Sequence, residues 1–306
     1  MKKHNLRPLS HKTLSVVLAT RNEEQNIGEC LESIKYIADE IIIFDEESSD
    51  KTPEIAKKYG AKVFTVKHEP IFHITKQKAL STASGDWILQ LDADERVTPK
   101  LGEEIKEVVK FENNQIVRDQ FERKCNEKNE LYELFLRHQK LIEKREGHIG
   151  TESGEIVAFF IPRRNFFLGK QLVHAGVYPD GVIRLVKFGK AKFPAKSVHE
   201  LMEVDGEVAW LFNDLEHHES PTFSRYLERL NRYTDLQAKE FKIKFKSKRS
   251  IIHLLYFSFI KPFYLFLLLY LRHKGYLDGM RGFIWSVFSA LRYPIAYFKY
   301  WQSVKS

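Results

Sequence analysis

The sequence predicts an α/β fold: a mostly parallel sheet flanked by helices, followed by a helical C-terminal extension. Three observations predict it. Four apolar runs, at 14–19, 40–44, 61–66 and 86–91, end one βα unit apart. They are rich in Val, Ile and Leu and do not alternate, as parallel strands covered on both faces require. From residue 241 onward the chain changes character and becomes basic, aromatic and apolar.

The elements follow in order. After the first run, Ile27, Leu31, Ile34 and Ile37 share one helical face. Residues 53–59 read as a short helix with Pro53 in its first turn and Gly60 as its stop. A helix over 74–83 ends at Ser84-Gly85. Residues 100–150 are dense in charge, and 111–147 read as an exposed helix or helical pair, an insertion or lid at about 111–150 with a solvated face and no chemistry of its own. Strand signals return at 155–161, 182–187, 197–204 and 207–212, and a helix is expected over 221–245. The expected organisation is an α/β domain over 1–220 and a helical region over 221–306.

Composition narrows the class. Of 306 residues, 43% are hydrophobic and 29% charged, which excludes a disordered or collagen-like chain. The two cysteines, Cys30 and Cys125, lie in no CxxC or Cys/His cluster, so neither a disulfide framework nor a structural zinc site is expected. The basic first twelve residues lack an apolar core, so no secretory signal is read and a reducing, cytosolic site is expected. The net charge of +8 is uneven: residues 241–306 carry 12 Lys/Arg against one acid, Asp278. That tail fits an anionic membrane surface better than a nucleic acid. Residues 251–271 include 17 apolar side chains, enough to cross a bilayer, but Lys261-Pro262 interrupts them. The stretch 282–301 is broken by Arg292 and Pro294. Helices lying in the membrane interface, with Lys and Arg reaching the headgroups, are the preferred reading. A single or re-entrant span and a buried helical hairpin are the alternatives.

The residues able to carry chemistry sit just after predicted strands. Thr20-Arg21-Asn22-Glu23-Glu24 follows the first, Asp45-Glu46-Glu47-Ser48-Ser49-Asp50 the second, and Asp92-Ala93-Asp94-Glu95 the fourth. Ligands on such sheets bind beyond the carboxyl ends of the strands, where these turns converge. No GxGxxG or GxxxxGKS/T loop is present to cradle a diphosphate through backbone amides. Carboxylates repel phosphates unless a divalent cation lies between them. Asp-x-Asp supplies hard oxygen ligands for Mg²⁺ or Mn²⁺, and Asp45 is placed to accept hydrogen bonds from a base or ribose.

The segments SVVLATRNEEQNI, IIIFDEESSDKT and WILQLDADERV make the chain resemble a family 2 glycosyltransferase of the GT-A (Rossmann-like) fold. With IPRRNFFLGK, HAGVYPDGVIRL, SVHE and a helix ending in LNRYT, it is most similar to the bacterial lipopolysaccharide-core β-1,4-glucosyltransferase type. The resemblance implies an inverting, metal-dependent transfer of a hexose from a nucleotide-diphosphate sugar, with UDP expected, to a hydroxyl of a lipid-linked or cell-envelope glycan. It implies that Thr20, Arg21, Asn22 and Glu23 line the nucleotide pocket and that Asp45 contacts the base. Asp94 would ligate Mg²⁺ or Mn²⁺, Asp92 would face the ribose or the metal, and Glu95 would orient its neighbours. The family usually has a small residue and a glycine where this chain has Glu46 and Glu47.

Inversion needs a base opposite the leaving group. Glu200, beside His199 in SVHE, is the expected base, with a structural pairing to Arg184 as the alternative and Asp180 in reserve. His217-His218 reads as capping or packing before metal or phosphate contact. Arg163, Arg164, Lys170, Phe166, Phe167 and Tyr178 are candidates for the acceptor side, with surface charge and core packing as their alternatives. The expected location is the cytoplasmic face of the cell membrane, peripheral or monotopic, with no nucleic-acid partner. Two other readings stay open: a polyprenyl-phosphate glycosyltransferase, and a non-catalytic membrane- or nucleic-acid-binding module.

Overall fold

The protein is described by a computed structural model that covers residues 12–125, 129–194, 201–246, 248 and 250–304. The chain forms two compact units: Met1–Arg163 with Pro179–His217, and Arg164–Tyr178 with His218–Ser306.

The first unit opens with the expected βα repeat. β1 (Leu14–Thr20), α1 (Ile27–Ile34), β2 (Glu40–Asp45), α2 (Thr52–Lys58), β3 (Lys62–Thr65), α3 (Phe72–Thr82) and β4 (Trp87–Leu91) follow in order. Next come β5 (Glu95–Val97), α4 (Pro99–Lys110), α5 (Asn113–Cys125), α6 (Asn129–Glu146) and β6 (Ile156–Ile161). After β7 (Arg163–Phe167) and β8 (Lys170–Gln171), β9 (Val182–Lys187) returns to the main sheet. The short hairpin of β10 (Ala191–Lys192) and β11 (Glu203–Val204), then β12 (Glu207–Trp210) and β13 (Leu215–Ser220), complete the strands.

The main sheet has seven strands in the order β12-β6-β9-β4-β1-β2-β3. β4, β1, β2 and β3 are mutually parallel, and β9 enters antiparallel between β4 and β6. All seven residues of β1 are buried, which is why its sequence lacks alternation. Ile27, Leu31 and Ile34 of α1 pack with Val16, Leu18, Leu89 and Leu91 in one core. Each such side chain contributes about 1.5–3 kcal/mol.

Two findings depart from the sequence expectation, and one expected strand lies mostly outside the described residues. The charged insertion is a helical pair, α5 and α6, as expected, but α6 is not simply solvated. Its Phe135 is fully buried and stacks on Trp210 at 4.6 Å, and His138 Nε2 accepts the Gly181 N–H at 3.0 Å. Gly181 is required there, because a Cβ would lie 2.2 Å from the Trp210 ring. The strand expected at 197–204 falls largely outside the described residues, whose part of it is the two-residue β11. β5, β7 and β13 were not foreseen.

An ion-pair cluster ties the far edge of the first unit. Burial works against the charge of Glu40, but Lys62 (2.7 Å), Ser15 (2.7 Å) and Ser84 (3.0 Å) outweigh it and hold its pKa down to about 2. A carboxyl depressed on folding stabilises the native state above its unfolded pKa and loses that contribution as pH falls through the folded value. Stability that depends on Glu40 is therefore expected to decline between about pH 4.5 and about pH 2. Acid titration of unfolding should show this decline, and Glu40→Gln should remove that part of the slope.

In the second unit, α7 (Phe223–Lys244) starts where Thr222 Oγ1 accepts the Arg225 N–H at 3.2 Å. The apolar helix Ile251–Arg272 and the C-terminal helix Gly279–Ser303 follow. Phe241, Phe257, Tyr297 and Tyr300 form one cluster, and Phe167, Leu172 and Tyr226 form another with Trp285 and Phe288.

Candidate active site

The strand order β4-β1-β2 sets the carboxyl ends of three strands side by side on the first unit. Thr20 is the register partner of Asp45, and Leu18 that of Leu91. All three acidic turns thus emerge along one edge.

Hydrogen bonds lock the first two turns together. Thr20 Oγ1 donates to Asp45 Oδ1 at 3.0 Å, and Ser48 donates to the same carboxylate through its hydroxyl (2.6 Å) and amide (2.9 Å). Asn22, whose short amide side chain tolerates its φ of 54°, accepts the Ser49 N–H at 2.8 Å. The Asn22 backbone N–H donates to Ser48 Oγ at 2.8 Å. Glu23 accepts from Asn26 Nδ2 at 2.8 Å, and Arg21 is exposed.

The departure at Glu46-Glu47 has a structural account. Glu46 is fully buried, where Thr75 Oγ1 donates to one of its oxygens and His68 Nδ1 lies 2.5 Å from the other. Glu47 is exposed with φ 51°, a conformation that favours glycine. Glu47→Gly is expected to stabilise the fold by about 1 kcal/mol by relieving the left-handed backbone, read as a raised Tm without a change in turn structure.

The third turn is held by buried cations. Lys76 Nζ lies 2.5 Å from Asp92 Oδ1, and Arg184 Nη2 lies 2.6 Å from Asp92 Oδ2 and 2.7 Å from Glu95 Oε1. Burial opposes the charge on Asp92, but Arg184 and Lys76 outweigh it and keep this carboxyl well below the usual range. Glu95 is fully buried, and its Oε2 accepts the Asp92 N–H at 2.9 Å. Arg96 Nη1 clamps the turn by donating to Ala93 O at 2.7 Å and Glu95 O at 3.0 Å. Beneath it, Cys30 directs its thiol at Asp92 O, and burial pushes that thiol upward, away from the reactive thiolate.

β13 pairs antiparallel with β5, so His217 stands opposite Glu95. Its Nε2 lies 3.6 Å from Asp94 Oδ2. A hard carboxylate oxygen and an imidazole nitrogen on one locus fit a divalent cation. Among the described residues no cluster of three or more His, Cys, Asp or Glu surrounds it. Two protein ligands suit Mg²⁺ or Mn²⁺, which keep water and take substrate phosphate oxygens for the rest of their shell.

Thr20, Asn22, Glu23, Asp45, Asp92 and Asp94 thus line one strand-end edge. Glu200 and His199 lie outside the described residues. Asp180 pairs with Arg163 at 2.8 Å, and Arg163 also reaches Glu95 at 3.5 Å. Arg184, considered only as a partner of Glu200, serves the third turn. In the second unit, Phe167 is buried between Tyr226 and Trp285, which makes it a packing residue, and Phe166 stacks on His218 at 4.3 Å. Lys76 went unnoticed, although it shares a helical face with the buried Ala79 and Leu80. Arg184 sits among the buried Ile183, Leu185 and Val186 of its strand, where a charge demands a partner.

The profile of Glycosyl transferase family 2 matches residues 15–168, half of the chain. The chain belongs to this family. An uncharacterized glycosyltransferase of Rickettsia typhi is 38% identical over 104 residues, 33% of this chain. The match spans only 35% of that relative's own length. The lipopolysaccharide core biosynthesis glycosyltransferase LpsC of Rhizobium meliloti is 26% identical over 277 residues, 89% of this chain and 85% of its own. A crystal structure of Mycobacterium tuberculosis glucosyl-3-phosphoglycerate synthase with Mn²⁺ and UDP-glucose overlaps 28% of this chain and 34% of its own, at 31% identity and a TM-score of 0.26.

Proposed function

We propose that the protein transfers a hexose, with inversion, from a UDP-sugar to a hydroxyl of a lipid-linked cell-envelope glycan at the cytoplasmic face of the membrane. The observation that carries this reading is the joining of Asp45, Asp92 and Asp94 on one sheet edge, with His217 beside Asp94. The likeness to LpsC along most of both chains supports the envelope-glycan acceptor. The basic, aromatic segment 221–306 supports membrane attachment.

Asp45, oriented by Thr20 and Ser48, accepts hydrogen bonds from the base. Thr20, Arg21, Asn22 and Glu23 form the pocket wall. Asp92 has a cation on each oxygen, so it stays ionised and faces the ribose. Asp94 and His217 would hold Mg²⁺ or Mn²⁺, which would supply positive charge to neutralise the departing diphosphate. Glu200 takes the proton of the acceptor hydroxyl. The acceptor oxygen bonds to the anomeric carbon as the bond to the diphosphate breaks, and the nucleoside diphosphate leaves. Asp180 is committed to Arg163 and holds that arginine against the turn.

The test is a donor screen with envelope lipid extract as acceptor. One UDP-sugar should release UDP and give a product of inverted anomeric configuration by NMR, and Glu200→Gln should lose transfer. Release from no donor, or a retained anomer, would contradict the reading.

A further inference from the structure

The apolar helix Ile251–Arg272 is long enough to cross a membrane, at about 33 Å, yet only 11% of its most apolar window is buried. Its outward stripe includes Ile252 (73% exposed), Leu255 (49%), Phe259 (66%), Ile260 (59%), Phe263 (67%) and Tyr264 (64%). Its one internal cation, Lys261, instead sits 4.0 Å from the ring centroid of Tyr293 on the C-terminal helix. Such a face in water calls for a partner.

Both ends of this helix are pinned to the same folded unit. At the start, Tyr297 Oη donates to Ser250 O at 3.1 Å and Tyr300 Oη to Lys248 O at 2.6 Å. At the end, His273 O accepts the Ala175 N–H at 2.9 Å, and Asp278 Oδ2 accepts the His174 N–H at 2.7 Å. The C-terminal helix therefore runs antiparallel beside it. α7 runs along the C-terminal helix, with Tyr226 at 5.9 Å from Trp285 and Phe241 at 6.3 Å from Tyr300, and its last turns also meet the start of the apolar helix, where Phe241 lies 4.7 Å from Phe257. Exposed Arg225, Glu228, Arg232, Asp235, Lys239 and Glu240 stud α7 along its length. A transmembrane placement of the apolar helix would draw these charges into hydrocarbon, which membrane proteins avoid.

We propose that the helix lies in the plane of one leaflet of an anionic membrane, inserted by its exposed stripe, and that it does not span the bilayer. The charge pattern supports this occupant. Lys242, Lys244, Lys246 and Lys248 precede the helix, and Arg272 and Lys274 close it, so cations stand at headgroup depth at both ends. This inference rests on the membrane attachment proposed above and fixes its geometry.

The test uses full-length protein carrying Cys125→Ser and one added cysteine, Ile252→Cys, Phe263→Cys or Leu271→Cys, labelled with NBD. Each is bound to phosphatidylethanolamine/phosphatidylglycerol vesicles, and depth is read by quenching with lipids that carry nitroxide at carbon 5 or carbon 12. All three positions should be quenched more strongly by the shallow probe, at equal depth. A central position quenched best by the deep probe, with shallow ends, would establish a span and overturn the proposal. In flotation, Phe259→Asp/Phe263→Asp should bind at least tenfold more weakly with an unchanged melting temperature. Failure of the unmutated protein to float with these vesicles would overturn membrane attachment itself. Equal flotation of the double variant would overturn only the inserted stripe.

Discussion

Asp94→Ala is expected to lower transfer at least about a thousandfold while leaving the melting temperature within a degree or so of the parent. The size follows from removing a preorganised electrostatic contact to a developing diphosphate. The selectivity follows from the surroundings. Asp94 is partly exposed, whereas Asp92 and Glu95 take the buried cations Lys76 and Arg184. Steady-state kinetics beside a thermal melt checks both halves. On the proposed reading His217→Ala also loses transfer, with a larger loss at low cation concentration that added Mn²⁺ partly restores, and it lowers the melting temperature too because the imidazole is buried. Full activity in the Asp94 variant would place the chemistry elsewhere.

Arg184→Met has the opposite profile, because it should damage the fold first. Arg184 is buried and pairs with Asp92 and Glu95, and Gln90 accepts a further hydrogen bond from its guanidinium. Deleting it leaves two carboxylates facing a low-dielectric interior with fewer cations. Breaking such a buried pair costs about 3–5 kcal/mol, enough to make unfolding visible at modest denaturant. Arg184→Lys keeps the charge but cannot reach all three partners from one planar group, so an intermediate loss is expected. Denaturant midpoints for the two variants measure this. Two midpoints equal to the parent's would show that Arg184 does not hold the turn.

Much of the fold was readable because parallel strands covered on both faces leave long apolar runs. β1 is buried at every residue and β4 likewise, and both were placed within a residue or two. β13 was missed for the converse reason. Its sequence, LEHHES, carries charge and imidazole, and only the burial of Leu215, His217 and Ser220 reveals which side faces inward. That strand brings His217 to Asp94, so the histidine's position depended on a pairing between residues far apart in the chain. The same holds for Arg184, which reaches Asp92 from 92 positions away. The acidic turns were legible because their own residue types advertise them. The cations that balance them were not, since a lone Lys or Arg in a helix or strand is most often a surface residue. The packing of Phe135 on Trp210 was hidden by the charge density of the helix that carries it.

Titration calorimetry of UDP into the purified protein tests the central claim most directly. With Mn²⁺ present, one UDP should bind per chain, EDTA should abolish the heat, and Asp94→Ala should lose the Mn²⁺-dependent binding. UDP binding unaffected by either EDTA or the substitution, or no binding under any condition, would contradict the assignment of the three acidic turns as a cation-assisted nucleotide-sugar site.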